Sequence, residues 1–273
     1  MLPDVPAVRP LGPADLTACL DLGADRDWPR EHRKWSVLLD VGRGFGIDAP
    51  DGEGLAAAAV LVETGPIASI SMVLVATRYG RQGLGRRVTS HAVTAAGAAT
   101  VFLHASSDGQ RLYESLGFVA DGGCEGHLGV LTDDGGPVSS PIAPADVARV
   151  YELDARAQGF PRRALLNRLL FEAEYVHVSD DGFALGTIHD GITVIGPVIA
   201  PTDDEARALI RGIARAADGP IRVDVDFTHA AVSKWCRSSG LVPLEPAPRL
   251  VLGGKPLPGA AKLRYSPANR ALG

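Results

Sequence analysis

Apolar and polar positions along this 273-residue chain fall into two successive series of short apolar runs and amphipathic stretches. In the first, Val8-Arg9 reads as a short strand. Pro13 to Leu22 reads as a helix with proline in its first turn, and Pro29 to Val41 as a second. Phe45 to Ile47 and Leu55 to Glu63 read as strands joined by the turn Ala49-Pro-Asp-Gly-Glu-Gly54, and Ile67 to Ala76 as a third. Val88, Ala92, Val93 and Ala96 recur at helical spacing, and Val101 to Ala105 is a buried-strand run. Asp108 is placed to cap a helix containing Leu112, Tyr113 and Leu116 that stops at Gly117, with strands near 118 and 128.

Thr132 to Pro144 has the Gly, Pro and Ser content of a linker. The order then repeats. Helices are expected at Pro144–Gln158 and Arg162–Phe171, and strands at Tyr175–Val178, Phe183–His189 and Thr193–Ala200. A helix follows at Asp203–Ala217, a strand at Ile221–Val225 and a helix at Ala230–Ser238. The expected fold class is therefore α+β, with mixed helices and strands in two similar domains: 1–133 and 144–273, joined by the linker 134–143. The length suits two domains, and 46% hydrophobic residues suffice for two cores.

The strand Ile67–Ala76 runs into Thr77-Arg-Tyr-Gly-Arg-Gln-Gly-Leu-Gly-Arg-Arg87 and then at once into a helix. Residues 1–135 hold 11 Lys and Arg against 17 Asp and Glu, yet four of those arginines lie between Arg78 and Arg87. Glycines at a helix N-terminus leave backbone N–H groups open to a phosphate-like anion. No Gly-Lys-Ser/Thr closes the loop, so it is not a Walker loop. Val88 stands where a dinucleotide fingerprint needs Gly or Ala, and no acid follows about 20 residues on.

The spacing Arg81-Gln-Gly-Leu-Gly-Arg86 instead resembles the pyrophosphate loop of the GNAT N-acetyltransferases, which use acetyl-CoA. Tyr113-Glu-Ser-Leu-Gly-Phe118 is similar to that family's second CoA motif, Tyr-x-x-Leu-Gly-Phe. Two positions differ from the family's usual pattern: Thr77 replaces a proline after the strand, and Gly80 an Arg or Gln. The resemblance implies two GNAT-like domains, each with a mostly antiparallel, splayed sheet flanked by helices. In the second, Gly196 to Glu205 lacks the glycine pair and the arginines, and Asp203, Asp204 and Glu205 repel a pyrophosphate. That half is expected not to bind CoA.

The implied activity is direct transfer of an acetyl group from acetyl-CoA to a primary amine, without metal. Backbone groups of Arg81, Gln82, Gly83, Leu84, Gly85 and Arg86 would hold the pyrophosphate. Leu74, Val75 and Ala76 would pair with the pantetheine arm, and Ser107 and Tyr113 would complete the donor site. Tyr113 matches the family's general acid; the other reading is a tyrosine packed on the sheet. Glu63 is the named candidate base, beside Glu31, His32, His104 or a chain of waters. Trp28, Asp27 and Glu31 are the candidate acceptor wall, with Trp28 and Trp35 on one helical face if the helix begins by Trp28. Asp224, Asp226 and His229 are a second candidate patch. The alternative on the same fold is a catalytically silent acyl-CoA-binding or partner-binding module.

The remaining features narrow the setting. A net charge of −5 argues against nucleic acid as a partner. Leu55 to Val62, the longest apolar run, is too short to span a bilayer. Three scattered cysteines make no metal-ligand spacing and fit a reducing compartment. With no basic-then-apolar leader at the start, the expectation is a cytoplasmic protein. The Ala-, Gly- and Arg-rich composition suggests a GC-rich bacterial genome. The acceptor stays open between amino acid, polyamine, antibiotic and protein.

Overall fold

The computed structural model describes residues 6–97, 99–132 and 135–273. Residues 1–5, at the start read as leaderless, and 133–134, where the expected linker begins, lie outside the described residues. Two compact units are present. Unit 1 comprises the chain up to Leu103 together with Asp108–Val119 and Val251–Lys255. Unit 2 comprises His104–Ser107, Ala120–Leu250 and Pro256–Gly273.

In unit 1 the order is β1 (Arg9–Leu11), α1 (Leu16–Ala24), α2 (His32–Val41), β2 (Arg43–Asp48), β3 (Leu55–Thr64), β4 (Ile67–Val75), α3 (Leu84–Ala95), β5 (Thr100–His104) and α4 (Gln110–Glu114). The sheet runs β1-β2-β3-β4-β5, antiparallel except for the parallel β4–β5 pair. Residues Ala56 to Leu61 of β3 are fully buried although four of them are alanines, which favour helix. Burial overrides propensity here, since α1, α2 and α3 all pack on this strand.

Three local expectations need correction. The second helix begins at His32, not Pro29, because residues 28–31 are irregular and the residue before a proline avoids the helical region. Trp28 and Trp35 therefore share no helical face: Trp35 is 1% exposed and Trp28 39%. Asp108 does not cap α4, whose N-cap is Gly109 with no side-chain bond. The strands near 118 and 128 are one strand, β6 (Phe118–Gly129).

Unit 2 continues with β7 (Ser140–Pro141), α5 (Val147–Gln158), α6 (Arg163–Glu172), β8 (Tyr175–Val178), β9 (Phe183–His189), β10 (Ile192–Ile199), α7 (Asp203–Ala216), β11 (Ile221–Asp226) and α8 (Ala230–Ser238). Then come β12 (Val242–Pro243), β13 (Ala247–Leu252) and β14 (Arg264–Ser266), none of which the apolar pattern announces. The sheet order is β13-β6-β11-β10-β9-β8-β7, with β12 on β6 and β14 on β10. The β10–β11 pair is parallel, as β4–β5 is in unit 1. Its core gathers Ile195, Val198, Leu209, Ile210, Val223 and Val232 around α7.

Unit 2 also holds four histidines, three of them buried and His104 half-buried, whose pKa values are depressed. Burial pushes His104 down to about 4, with its Nδ1 3.1 Å from the Arg270 carbonyl oxygen. Burial likewise lowers His127, His177 and His229. An unfolded histidine titrates near 6.5, so between about pH 6.5 and 4 the unfolded chain binds more protons than the folded one. Stability must fall as pH falls through that window. From pH 7 to pH 5, His104 alone is expected to contribute on the order of 2 kcal/mol of loss. Urea midpoints at the two pH values check this, and equal midpoints would contradict it.

Candidate active site

The site of unit 1 starts at a gap in its sheet. β4 pairs with β5 only over Ile67–Ser69 against Thr100–Phe102. Past Ser69 no described strand takes that edge of β4. A bulge between Ser71 and Leu74, with Met72 at φ 51, bends β4 there. Ala76 N–H donates to Ala56 O at 2.9 Å, on the β3 side. Strand alternation then turns the N–H and C=O of Val75 the other way, toward the gap. Leu74 is buried and registers with Ala58, which anchors the edge from below.

The glycine loop caps this edge. Thr77–Tyr79 forms one 3₁₀ turn, Arg81 has φ 61, and Gly83 has φ 78 as the N-cap of α3. Gly83 makes no side-chain cap, and a Cβ built on it would meet nothing within 4 Å. Among the described residues, the first-turn N–H groups of α3 thus have neither an intrahelical nor a capping partner, beside open space. Gly85 is a glycine for a different reason: its notional Cβ lies 3.3 Å from Leu112 Cδ2 and 3.4 Å from Val75 Cγ2. The loop's arginines divide. Arg78 bonds Asp51 (Nε–Oδ2 3.0 Å) and the Glu53 carbonyl (2.6 Å). With the Tyr79 hydroxyl first, then Glu53 N–H and Arg78, these contacts hold Asp51 down to about 2. Arg86 donates to Ser115 Oγ at 2.6 Å, fastening α4 to the start of α3. Arg81 and Gln82 are exposed, and Arg81 makes no ion pair among the described residues.

On α4, Tyr113 is 8% exposed and meets Phe118 edge-on with ring centroids 6.0 Å apart. Its hydroxyl has no hydrogen-bond partner among the described residues. Burial pushes its pKa up to about 12, so it carries its proton throughout the neutral range. Ser107 is exposed in the segment before α4.

The loop between α1 and α2 is fastened to the end of β4. Thr77 N–H donates to Asp25 Oδ2 at 2.5 Å, and Thr77 Oγ1 donates to the Asp25 carbonyl at 3.0 Å. The Thr77 N–H holds the Asp25 carboxyl below its usual range. Asp27 and Trp28 follow, both exposed, Asp27 at φ 57. Among the described residues, three of the four non-glycine residues with positive φ (Asp27, Met72 and Arg81) lie on this loop, the β4 bulge and the glycine loop. Such strain concentrates at working sites. Glu31 pairs with Lys34 at 2.9 Å.

The other candidates have surroundings of their own. Glu63 pairs with Arg43 at 2.8 Å and registers with Ala68. Val75 registers with Ala57, six residues along β3, or about 20 Å away. His32 is exposed at the start of α2. His104 is spent on the Arg270 carbonyl. Asp224 is buried and held by Arg222 and Arg270, each at 3.1 Å, and Asp226 by Arg249 at 3.2 Å. His229 stacks on Tyr265 with centroids 3.5 Å apart. Sequence reasoning missed Asp25, because no spacing relates residue 25 to residue 77.

The corresponding place in unit 2 is filled by the chain itself. β11 follows β10 only over Thr193–Ile195. Beyond it β14 takes the same edge, Val198 opposite Ser266 and Ile199 opposite Arg264, and Ala200 N–H donates to Leu263 O at 3.0 Å. The α7 N-terminus is capped from within. Thr202 Oγ1 accepts from Glu205 N–H at 3.3 Å, and the Tyr265 hydroxyl donates to Asp203 Oδ1 at 2.8 Å.

In unit 1 an open strand edge thus ends in an uncapped, glycine-started helix. Residues 51–127 and 150–266 each match the acetyltransferase (GNAT) domain. The chain belongs to the GNAT acetyltransferase family, with two such domains in tandem. It is 26% identical over 230 residues to YitH of Bacillus subtilis, an uncharacterized N-acetyltransferase, covering 80% of this chain and 81% of that one. Its fold is similar to a putative acetyltransferase from Pyrococcus horikoshii, at a TM-score of 0.83 and 20% identity, over 98% of this chain and 95% of that one. It is also similar to a tandem GNAT protein from the clavulanic acid biosynthesis pathway, at a TM-score of 0.61 and 15% identity, over 92% and 99%. No described helix is long and apolar enough to cross a membrane, and the described residues hold no group of metal-ligating side chains.

Proposed function

We propose that unit 1 transfers an acetyl group from acetyl-CoA to a primary amine. The observation that carries this reading is the free edge of β4 at Val75, leading directly to the uncapped N-terminus of α3 at Gly83. Bound acetyl-CoA supplies an activated acyl carbon and a thiol leaving group. Val75, between Leu74 and Ala76, offers an N–H and a C=O to the pantetheine arm as an added strand, and its N–H polarises the acyl carbonyl. The N–H groups from Gly83 to Arg86 and the exposed Arg81 take the pyrophosphate charge. Tyr113, protonated at neutral pH, returns a proton to the leaving sulfur. Asp27, Trp28 and Glu31 receive the amine, whose proton leaves by water, since Glu63 stands about 20 Å off.

The cheapest test is thiol release from acetyl-CoA across a panel of amines. Release with at least one amine supports the enzyme. CoA binding with no release from any of them would favour the silent acyl-CoA-binding module. Stoichiometry gives a separate test. Because β14 occupies the β10 edge and Thr202 caps α7 with acids in its first turn, one CoA per chain is expected by calorimetry. Two per chain would show that unit 2 is a donor site as well.

A further inference from the structure

We infer that Thr77 and Asp25 form a latch through which donor binding orders the acceptor loop. The inference rests on the donor and acceptor assignment above. Thr77 stands where the GNAT pattern usually has proline, a residue with neither N–H nor hydroxyl. Here both missing donors are present, and both are used on the same residue. The N–H goes to Asp25 Oδ2 and the Oγ1 to the Asp25 carbonyl. The third polar group of Thr77, its C=O, accepts from Gly80 N–H at 3.1 Å inside the donor loop. One residue thus joins the segment that would meet the pyrophosphate to the segment bearing Asp27 and Trp28.

The bonds on either side are short-range, so the connection is mechanically direct. Asp25 closes α1, with its N–H on Asp21 O at 2.9 Å. The amides of Arg26, Asp27 and Trp28 then bond back to Gly23 O, Ala24 O and Gly23 O at 3.0, 3.1 and 3.0 Å. Across the turn, Arg78 and Tyr79 hold Asp51, which pins the far side of the 3₁₀ turn to the β2–β3 connection. A ligand that fixes Gly80 to Gly83 therefore restrains Thr77, and Thr77 restrains the loop from Asp25 to Trp28. By reciprocity, an ordered acceptor loop favours the donor-bound arrangement of the glycine loop.

The latch can be removed without disturbing the backbone. Ala76 has φ −56 and ψ 137, the region that a residue before proline prefers, and Thr77 opens a 3₁₀ turn. Thr77→Pro accordingly fits and deletes both donors. Asp25→Ala deletes one acceptor from the other side, and Thr77→Ser keeps both donors. The experiment is hydrogen exchange of the Arg26, Asp27 and Trp28 amides, with and without saturating CoA, alongside calorimetry of CoA binding. In the wild type and in Thr77→Ser, CoA is expected to slow exchange at these amides about tenfold. In Thr77→Pro and Asp25→Ala, CoA still binds but slows them less than twofold. Equal slowing in Thr77→Pro and the wild type, or none in a wild type that binds CoA, overturns the latch. Absence of CoA binding by the wild type in calorimetry overturns the donor assignment itself, and the latch with it.

Discussion

Gly83→Glu is expected to abolish CoA binding while leaving α3 intact. The protein itself has room for the side chain, since a Cβ at this position meets nothing within 4 Å. The φ of 78 is one that side chains rarely adopt, which costs about 1 kcal/mol. The larger effect is electrostatic. A glutamate at the N-cap accepts the first-turn N–H groups that would bind pyrophosphate, and sets a negative charge where two phosphates would lie. The same carboxylate suits a helix N-terminus, so the variant keeps its fold. Gly83→Ala separates the terms: it bears the backbone cost alone, which falls on folding stability by about 1 kcal/mol, without the added charge. Calorimetry on both variants decides. A Gly83→Glu protein that binds CoA as the wild type does would remove unit 1 as the donor site.

Tyr113→Phe is expected to lower kcat by roughly 10²–10⁴, the usual worth of a general acid, with little change in CoA affinity. The substitution is close to isosteric. It keeps the edge-on contact with Phe118 and strands no partner, because the hydroxyl has none among the described residues. Folding stability should therefore change by less than about 1 kcal/mol. With the phenol pushed up to about 12, kcat should show no alkaline fall from this residue below about pH 11. A variant turning over at the wild-type rate would return Tyr113 to packing alone.

Much of unit 1 was legible because its signals are local. The apolar run to Ala76, the glycine pair and the helical spacing from Val88 specify strand, loop and helix within about twenty-five residues. The glycines act where they stand: Gly83 through its φ of 78, Gly85 through close contact with Leu112 and Val75. The start of α7 was legible in the same way, since Asp203, Asp204 and Glu205 suit the first turn of a helix and stand there.

What depended on pairing between distant segments could not be read. Glu63 looked near the end of β4 because only a turn separates β3 from β4, but antiparallel register sends it to the opposite end. Trp28 looked helical by its spacing from Trp35 until Pro29 excluded it. Asp25 and Thr77 are 52 residues apart, and β14 lies more than sixty residues beyond the β10 edge that it fills. The sequence by itself determined most of the elements, the glycine start of α3 and the acids in the first turn of α7. The tertiary structure alone decided which carboxylate meets the end of β4 and what occupies the edge of β10. The physical reason is that strand register and strand addition are set by burial and backbone pairing between remote segments, neither of which leaves a periodic mark on the chain.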